Sequence, residues 1–227
     1  MDIIVKKLSK SYGKQKVLSD FDAVFAGGKV TAVMGRSGAG KTTLLNCIAG
    51  LTDYEGEIEG ADGAAYVFQE DRLVPNLTVY GNLALTTRGD DKDERIKNAL
   101  EEVGMRDKAT SYPDELSGGE KKRVALCRAF LSDKDVVLLD EPTNSLDLGL
   151  KIKTYKVFSE LIERYGKTAI YVTHDIDEAM SVSDFVYLIS GGGVTVNYKF
   201  SGERASRDVT GAECAELRKI LLSAIVV

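Results

Sequence analysis

Apolar and β-branched residues gather in short alternating or unbroken runs at 3–8, 17–25, 30–34, 57–59, 64–68, 136–139, 169–173, 185–189 and 194–200. That character predicts strands. A repeat near 3.6 takes over at 41–49, 93–103, 119–131, 148–165 and 212–224, which predicts helices. In the last of these Leu217, Ile220, Leu221 and Ala224 share a face, so the helix is expected to pack on a core. Strands dominate the first third, helices the stretch from about 71 to 131, and the two alternate afterwards. The order predicts one α/β domain over 1–227, its core interrupted by a helical lobe at about 71–131.

Chemistry first shows between the predicted strand at 30–34 and the helix at 41–49. There Gly35-Arg36-Ser37-Gly38-Ala39-Gly40-Lys41-Thr42 fits G-x-x-x-x-G-K-[ST]. Glycines let backbone N–H groups wrap phosphate oxygens, the helix N-terminus favours an anion, and Lys41 adds a point charge. The Thr42 hydroxyl suits Mg2+. A plain glycine-rich turn needs no Lys-Thr at its end, so nucleotide binding is expected. Downstream, Val136-Val137-Leu138-Leu139 reads as a strand buried on both faces and ends in Asp140 and Glu141. Alone, that pair would be a solvated acidic turn before Pro142. With a phosphate loop upstream, Asp140 is expected to hold the metal of a bound nucleotide and Glu141 to orient or deprotonate the attacking water.

Composition narrows the classes. With 227 residues and 44% hydrophobic content the chain can bury a sizeable core. Thirty basic against thirty-five acidic residues leave a net charge of −5, so no global positive field exists and no nucleic-acid partner is expected. Cys47, Cys127 and Cys214 lie far apart without CxxC spacing, against a disulfide framework or a cysteine zinc site and in keeping with a reducing cytosol. No run approaches the roughly 20 apolar residues of a membrane helix, so any membrane role is expected to be peripheral.

Leu116-Ser117-Gly118-Gly119-Glu120, followed by Lys121-Lys122-Arg123-Val124-Ala125-Leu126 and then by the acidic strand end, resembles the LSGGQ signature of ABC ATPases. Ser117 and two glycines opening a helix make a second anion site. The motifs of that family run in order from Tyr12 to His174. The resemblance implies a P-loop NTPase core of ABC ATPase type with an N-terminal antiparallel β region and an inserted helical lobe. It also implies a head-to-tail dimer with a second ATPase subunit, a homodimer by expectation. ATP would meet Gly35 to Thr42 and Thr43 of one subunit and Ser117, Gly118, Gly119 and Glu120 of the other. By the same resemblance Tyr12 stacks on adenine, Gln69 joins Thr42 and Asp140 at Mg2+, and Ser145-Leu146-Asp147 reports across the interface. His174, the sole histidine, is the switch residue beside Glu141, acting by positioning and electrostatics. One departure stands out. Glu120 replaces the usual glutamine, which is expected to slow turnover unless the carboxylate points away or pairs with Lys121 or Arg123.

The segment 68–79, Phe68-Gln69-Glu70-Asp71-Arg72-Leu73-Val74-Pro75-Asn76-Leu77-Thr78-Val79, resembles importer ATPases of the nitrate, sulfonate and taurine group. It adjoins Gln69, where the family receives a helix of its membrane subunit. The resemblance thus implies an ATP-hydrolysing importer subunit at the cytoplasmic face of the membrane, with separate permease subunits and an extracytoplasmic solute-binding protein. The chain ends soon after its core elements, so no added regulatory domain is expected. Competing readings are an exporter or lipoprotein-releasing ATPase of the same fold, and a regulatory module that no longer hydrolyses. Lys41, Asp140, Glu141 and His174 argue against the second. A DNA-repair or translation ATPase would bring a long coiled-coil insertion or tandem cassettes, for which 227 residues leave no room.

Overall fold

The computed structural model describes residues 1–144 and 146–226; Ser145, expected in the interface loop, lies outside the described residues. Two sheets form. A three-stranded antiparallel sheet has the order β2-β1-β4, from β1 (Ile3–Tyr12), β2 (Gln15–Phe25) and β4 (Glu55–Glu59). A six-stranded sheet has the order β5-β6-β7-β3-β8-β9, from β3 (Val30–Gly35), β5 (Ala65–Val67), β6 (Val136–Asp140), β7 (Thr168–Val172), β8 (Phe185–Ser190) and β9 (Gly193–Lys199). All its neighbours are parallel except β8 and β9.

Burial explains the division. Every residue of β3, β6 and β7 is buried, as expected of parallel strands covered by helices on both faces. The N-terminal sheet alternates instead, but β1 changes parity: Ile3 and Val5 are buried, then Leu8 and Lys10. Its pairing with β2 shifts between Val5 and Leu8, and Lys7 there has φ 48°. This bulge keeps an inward face over ten residues.

Helices α1 (Lys41–Ile48), α5 (Leu148–Tyr165) and α7 (Ala212–Val226) fall where the sequence places them. Between β5 and β6 run α2 (Val79–Ala84), α3 (Lys92–Glu102) and α4 (Gly118–Leu131). Among the described residues two short α-helices lie outside the periodic runs: α2, whose N-cap Thr78 accepts from the Gly81 N–H, and α6 (Ile176–Val182), capped by Asp175. Side chains of α2, α3 and α4, including Leu83, Leu100 and Val124, pack in one core with Phe130, Phe158 and Tyr171. The Phe158 and Tyr171 rings meet edge to face at 5.3 Å. A second core joins the antiparallel sheet to α1 and the large sheet, and a third sets α6 and α7 against β3 and β8.

The strand order does the positioning. Val33 of β3 and Asp140 of β6 both pair with Val172 of β7, so three strands release their chains at one edge, where parallel sheets place ligands.

Candidate functional site

The loop after β3 depends on two glycines. Gly35 has φ 155°, and a Cβ on it would lie 2.6 Å from the Ile189 carbonyl oxygen. Gly40 caps α1 with φ 92°, and a Cβ there would lie 2.9 Å from Leu18. Any side chain at either place would push the loop off its strand. Arg36, Ser37 and Gly38 are consequently exposed at the loop tip, Ala39 closes a turn onto the Arg36 carbonyl, and Lys41 and Thr43 are buried at the start of α1. The Lys41 ammonium donates to the carbonyls of Gly35 at 2.9 Å and Arg36 at 3.1 Å. Burial lowers its pKa, and the Glu141 and Asp140 carboxylates work against that shift. A buried cation thus faces two carboxylates across the loop, an arrangement suited to a polyanion bridging them through a divalent ion.

At the tip of β6 the Asp140 carboxyl is pushed above its ordinary range by burial, with hydrogen bonds from Thr42 and Tyr66 opposing and the Glu141 charge adding to the rise. The Tyr66 hydroxyl is 3.4 Å from Asp140 Oδ2, and its ring stacks on Phe68 at 4.0 Å. Glu141 follows with φ 45°, a left-handed conformation costing about 1–3 kcal/mol for such a residue. It is pinned there because its N–H donates to the Val172 carbonyl at 3.0 Å. Asn144 donates to its Oε2 at 3.0 Å, and His174 Nδ1 lies 3.4 Å from Oε1. The imidazole is otherwise well exposed, at 60%.

The lysine end of the loop and the Glu141–His174 pair share one cleft of about 630 Å3, whose lining does not include Asp140, Gly35, Arg36 or Ala39. Tyr12, Lys41, Thr42, Gln69, Glu141 and His174 line it together. Tyr12 is half exposed, with Lys10 Nζ 5.1 Å from its ring centre. Gln69 is fastened from outside the motif: its carbonyl accepts from Lys122 Nζ at 3.0 Å, and the same buried lysine pairs with Asp71 at 2.8 Å. Lys122 belongs to the helix opened by Ser117, so one cation ties the Gln69 segment to α4. Sequence reasoning passed over this link, as it did Tyr66.

Ser117, Gly118, Gly119, Glu120 and Asp147 do not line this cleft. Ser117 caps α4, while a Cβ on Gly119 would come within 3.0 Å of Leu150 on α5. The Glu120 carboxylate neither turns away nor pairs with Lys121 or Arg123. It folds back to accept the Ser117 N–H and hydroxyl, each at 2.8 Å, while Ser117 Oγ accepts the Glu120 N–H at 3.4 Å. Such a capping box follows from Ser-x-x-Glu spacing, and the Ser117 bonds hold the Glu120 carboxyl below its ordinary pKa. Asp147 caps α5, accepting from the Leu150 N–H at 3.0 Å.

The family model described as ABC transporter matches residues 18–144. The aliphatic sulfonates import ATP-binding protein SsuB 1 of Paracoccus denitrificans is 35% identical over 226 residues, covering 98% of this chain and 93% of that protein. The SsuB protein of a Mycobacterium species is 37% identical over 228 residues, covering 97% and 92%. Among solved structures, the dimeric structure of MJ0796, described as a bacterial ABC transporter cassette, superposes with a TM-score of 0.75 at 31% identity over 88% of this chain and all of that one. A second structure of the same cassette, in a post-hydrolysis state bound to ADP and Pi, gives a TM-score of 0.74 at 28% identity.

Proposed function

Since the chain belongs to the ABC transporter family, as an ATP-binding, ATP-hydrolysing cassette, we propose that it powers import through separate membrane permease subunits, as one half of an ATP-closed dimer. The supporting observation is the single cleft in which Tyr12, Lys41, Thr42, Gln69, Glu141 and His174 converge. The relatives named as import ATP-binding proteins favour import over export, and their cargo, aliphatic sulfonates, names the expected substrate class. No helix among the described residues is long and apolar enough to cross a membrane. The cassette would sit peripherally at the cytoplasmic face, fed by an extracytoplasmic solute-binding protein.

In this reading Tyr12 packs on the base, and the 35–43 segment offers backbone N–H groups and Lys41 to the phosphates. The donors Thr42, Gln69 and Asp140 are all oxygen, and this hard set fits Mg2+. Mg2+ bound there would neutralise developing phosphate charge. Glu141, fixed by Asn144 and faced by His174, takes the proton of a water attacking the γ-phosphorus. His174, with one ring nitrogen toward Glu141 and largely exposed, is placed to donate from the other to the same phosphate. Ser117 and its helix terminus would close over the nucleotide of a second copy, with Asp147 nearby at the interface.

Phosphate release by the purified chain with Mg-ATP, beside Lys41→Ala and Glu141→Gln, tests this. Turnover in the parent lost in both variants is expected; turnover surviving in Glu141→Gln would remove the assigned base.

A further inference from the structure

Hydrolysis as proposed needs Glu141 at the attacking water and His174 at the phosphate under attack, yet they follow different strands, β6 and β7. A buried group elsewhere spans the two. Glu178, in the first turn of α6, is 3% exposed. Its Oε1 accepts from the hydroxyls of Thr143 and Tyr171, and its Oε2 from that of Thr173. Thr143 lies two residues beyond Glu141, Thr173 immediately precedes His174, and both are 1% exposed. A carboxylate only accepts, at two oxygens with about four lone-pair sites, so three converging hydroxyl donors match it without water.

The acid is itself held. The Glu178 N–H donates to Asp175 Oδ1 at 3.2 Å, the Asp175 N–H donates to Thr173 Oγ1 at 3.0 Å, and Asp175 Oδ2 pairs with Lys151 of α5 at 3.0 Å. The first turn of α6 is thereby bolted to the His174 strand end on one side and to α5 on the other. The Thr143 bond is the one that reaches the Glu141 loop.

We propose that Glu178 is a positioning residue for hydrolysis, the buried tie that keeps the Glu141 loop and the His174 strand end in one register. This rests on the reading of the cleft given above. Glutamine in its place keeps the shape but offers one oxygen and an N–H donor where three hydroxyls converge, so at least one hydroxyl must turn round.

The test measures steady-state ATP hydrolysis, Mg-ADP affinity and thermal unfolding for the parent, Glu141→Gln and Glu178→Gln. In Glu178→Gln, kcat is expected to fall at least tenfold while KM and Mg-ADP affinity stay within twofold of the parent and unfolding remains cooperative. An unchanged kcat would overturn the proposal, and so would a parallel loss of affinity and activity, the mark of a merely structural residue. Should Glu178→Gln fail to fold, Thr143→Val and Thr173→Val each remove one hydroxyl at nearly constant volume. Each is expected to lower kcat several-fold at constant KM, with the double variant losing less than the product; parental kcat in both would overturn it. A parent that hydrolyses no ATP refutes the reading of the cleft and takes this inference with it, an outcome visible in the parent alone.

Discussion

Replacing Lys41 by methionine separates what this residue costs the empty protein from what it contributes to nucleotide binding. The ammonium is buried between the carbonyls of Gly35 and Arg36, at 2.9 and 3.1 Å, and its pKa is lowered by that burial. Methionine fills the channel without charge. It forfeits two hydrogen bonds from a charged donor, about 1.5–3 kcal/mol each, and escapes the cost of desolvating an ammonium, effectively several kcal/mol in a protein. The two effects oppose, so the empty variant should lie within about 2 kcal/mol of the parent, a shift in Tm of no more than about 4–8 °C for a chain of this length. Ligand acts in one direction only. Nucleotide at a hundred times its Kd stabilises by about 2.7 kcal/mol, or about 5–11 °C in Tm. Thermal unfolding of parent and variant, with and without saturating Mg-ADP, reads both quantities from one experiment. The variant should unfold near the parent when empty and lose the nucleotide-induced rise. A variant retaining the full rise would refute the assignment of Lys41 to the phosphates.

Three further outcomes follow from the same geometry. Asp140 carries a carboxyl whose pKa is raised, first by burial, so its protonated form is the one folding favours; that contribution is full below its ordinary value of 3.8 and is lost as pH rises through the folded value. Empty Asp140→Asn should thus gain stability relative to the parent at pH 7, with the gap closing toward pH 4 in denaturant titrations, and a constant gap would contradict this. Gly40→Ala combines a left-handed φ of 92° with a Cβ 2.9 Å from Leu18, and should lose about 2–5 kcal/mol in urea unfolding from strain and overpacking together with its nucleotide affinity. Glu120→Gln removes a negative charge while keeping an acceptor for the Ser117 N–H, so ATP-driven association should tighten severalfold by light scattering with little change in Tm; equal association would show that the charge does not face the nucleotide.

Local signals made much of this site legible. The phosphate loop lies within eight residues, and β6 announces itself by an apolar run ending in two acids, so Lys41, Thr42, Asp140 and Glu141 could be named without coordinates. The register of three strands then brings them together, as the alternation of strand and helix suggested. Shorter elements escaped: α2 and α6 have six and seven residues, too few for a helical period, and each is announced only by its cap. The bulge at Lys7 hid the true inward face of β1, because a period of two cannot cross a change of parity. Glu178 meets Thr143 from 35 positions away, and Lys122 meets Gln69 from 53; no periodic pattern carries contacts of that range. The Ser117-x-x-Glu120 spacing, by contrast, spells its capping box in the sequence itself.

The central claim, that two copies close around ATP, is tested most directly by the mass of Glu141→Gln in solution by light scattering, with and without Mg-ATP. The account predicts a shift from the 24.7 kDa of a single chain to about twice that mass in ATP and not in ADP, since the closing contacts form across the triphosphate and hydrolysis is blocked. A variant that stays at the mass of one chain in saturating ATP, while the parent still releases phosphate, would contradict it.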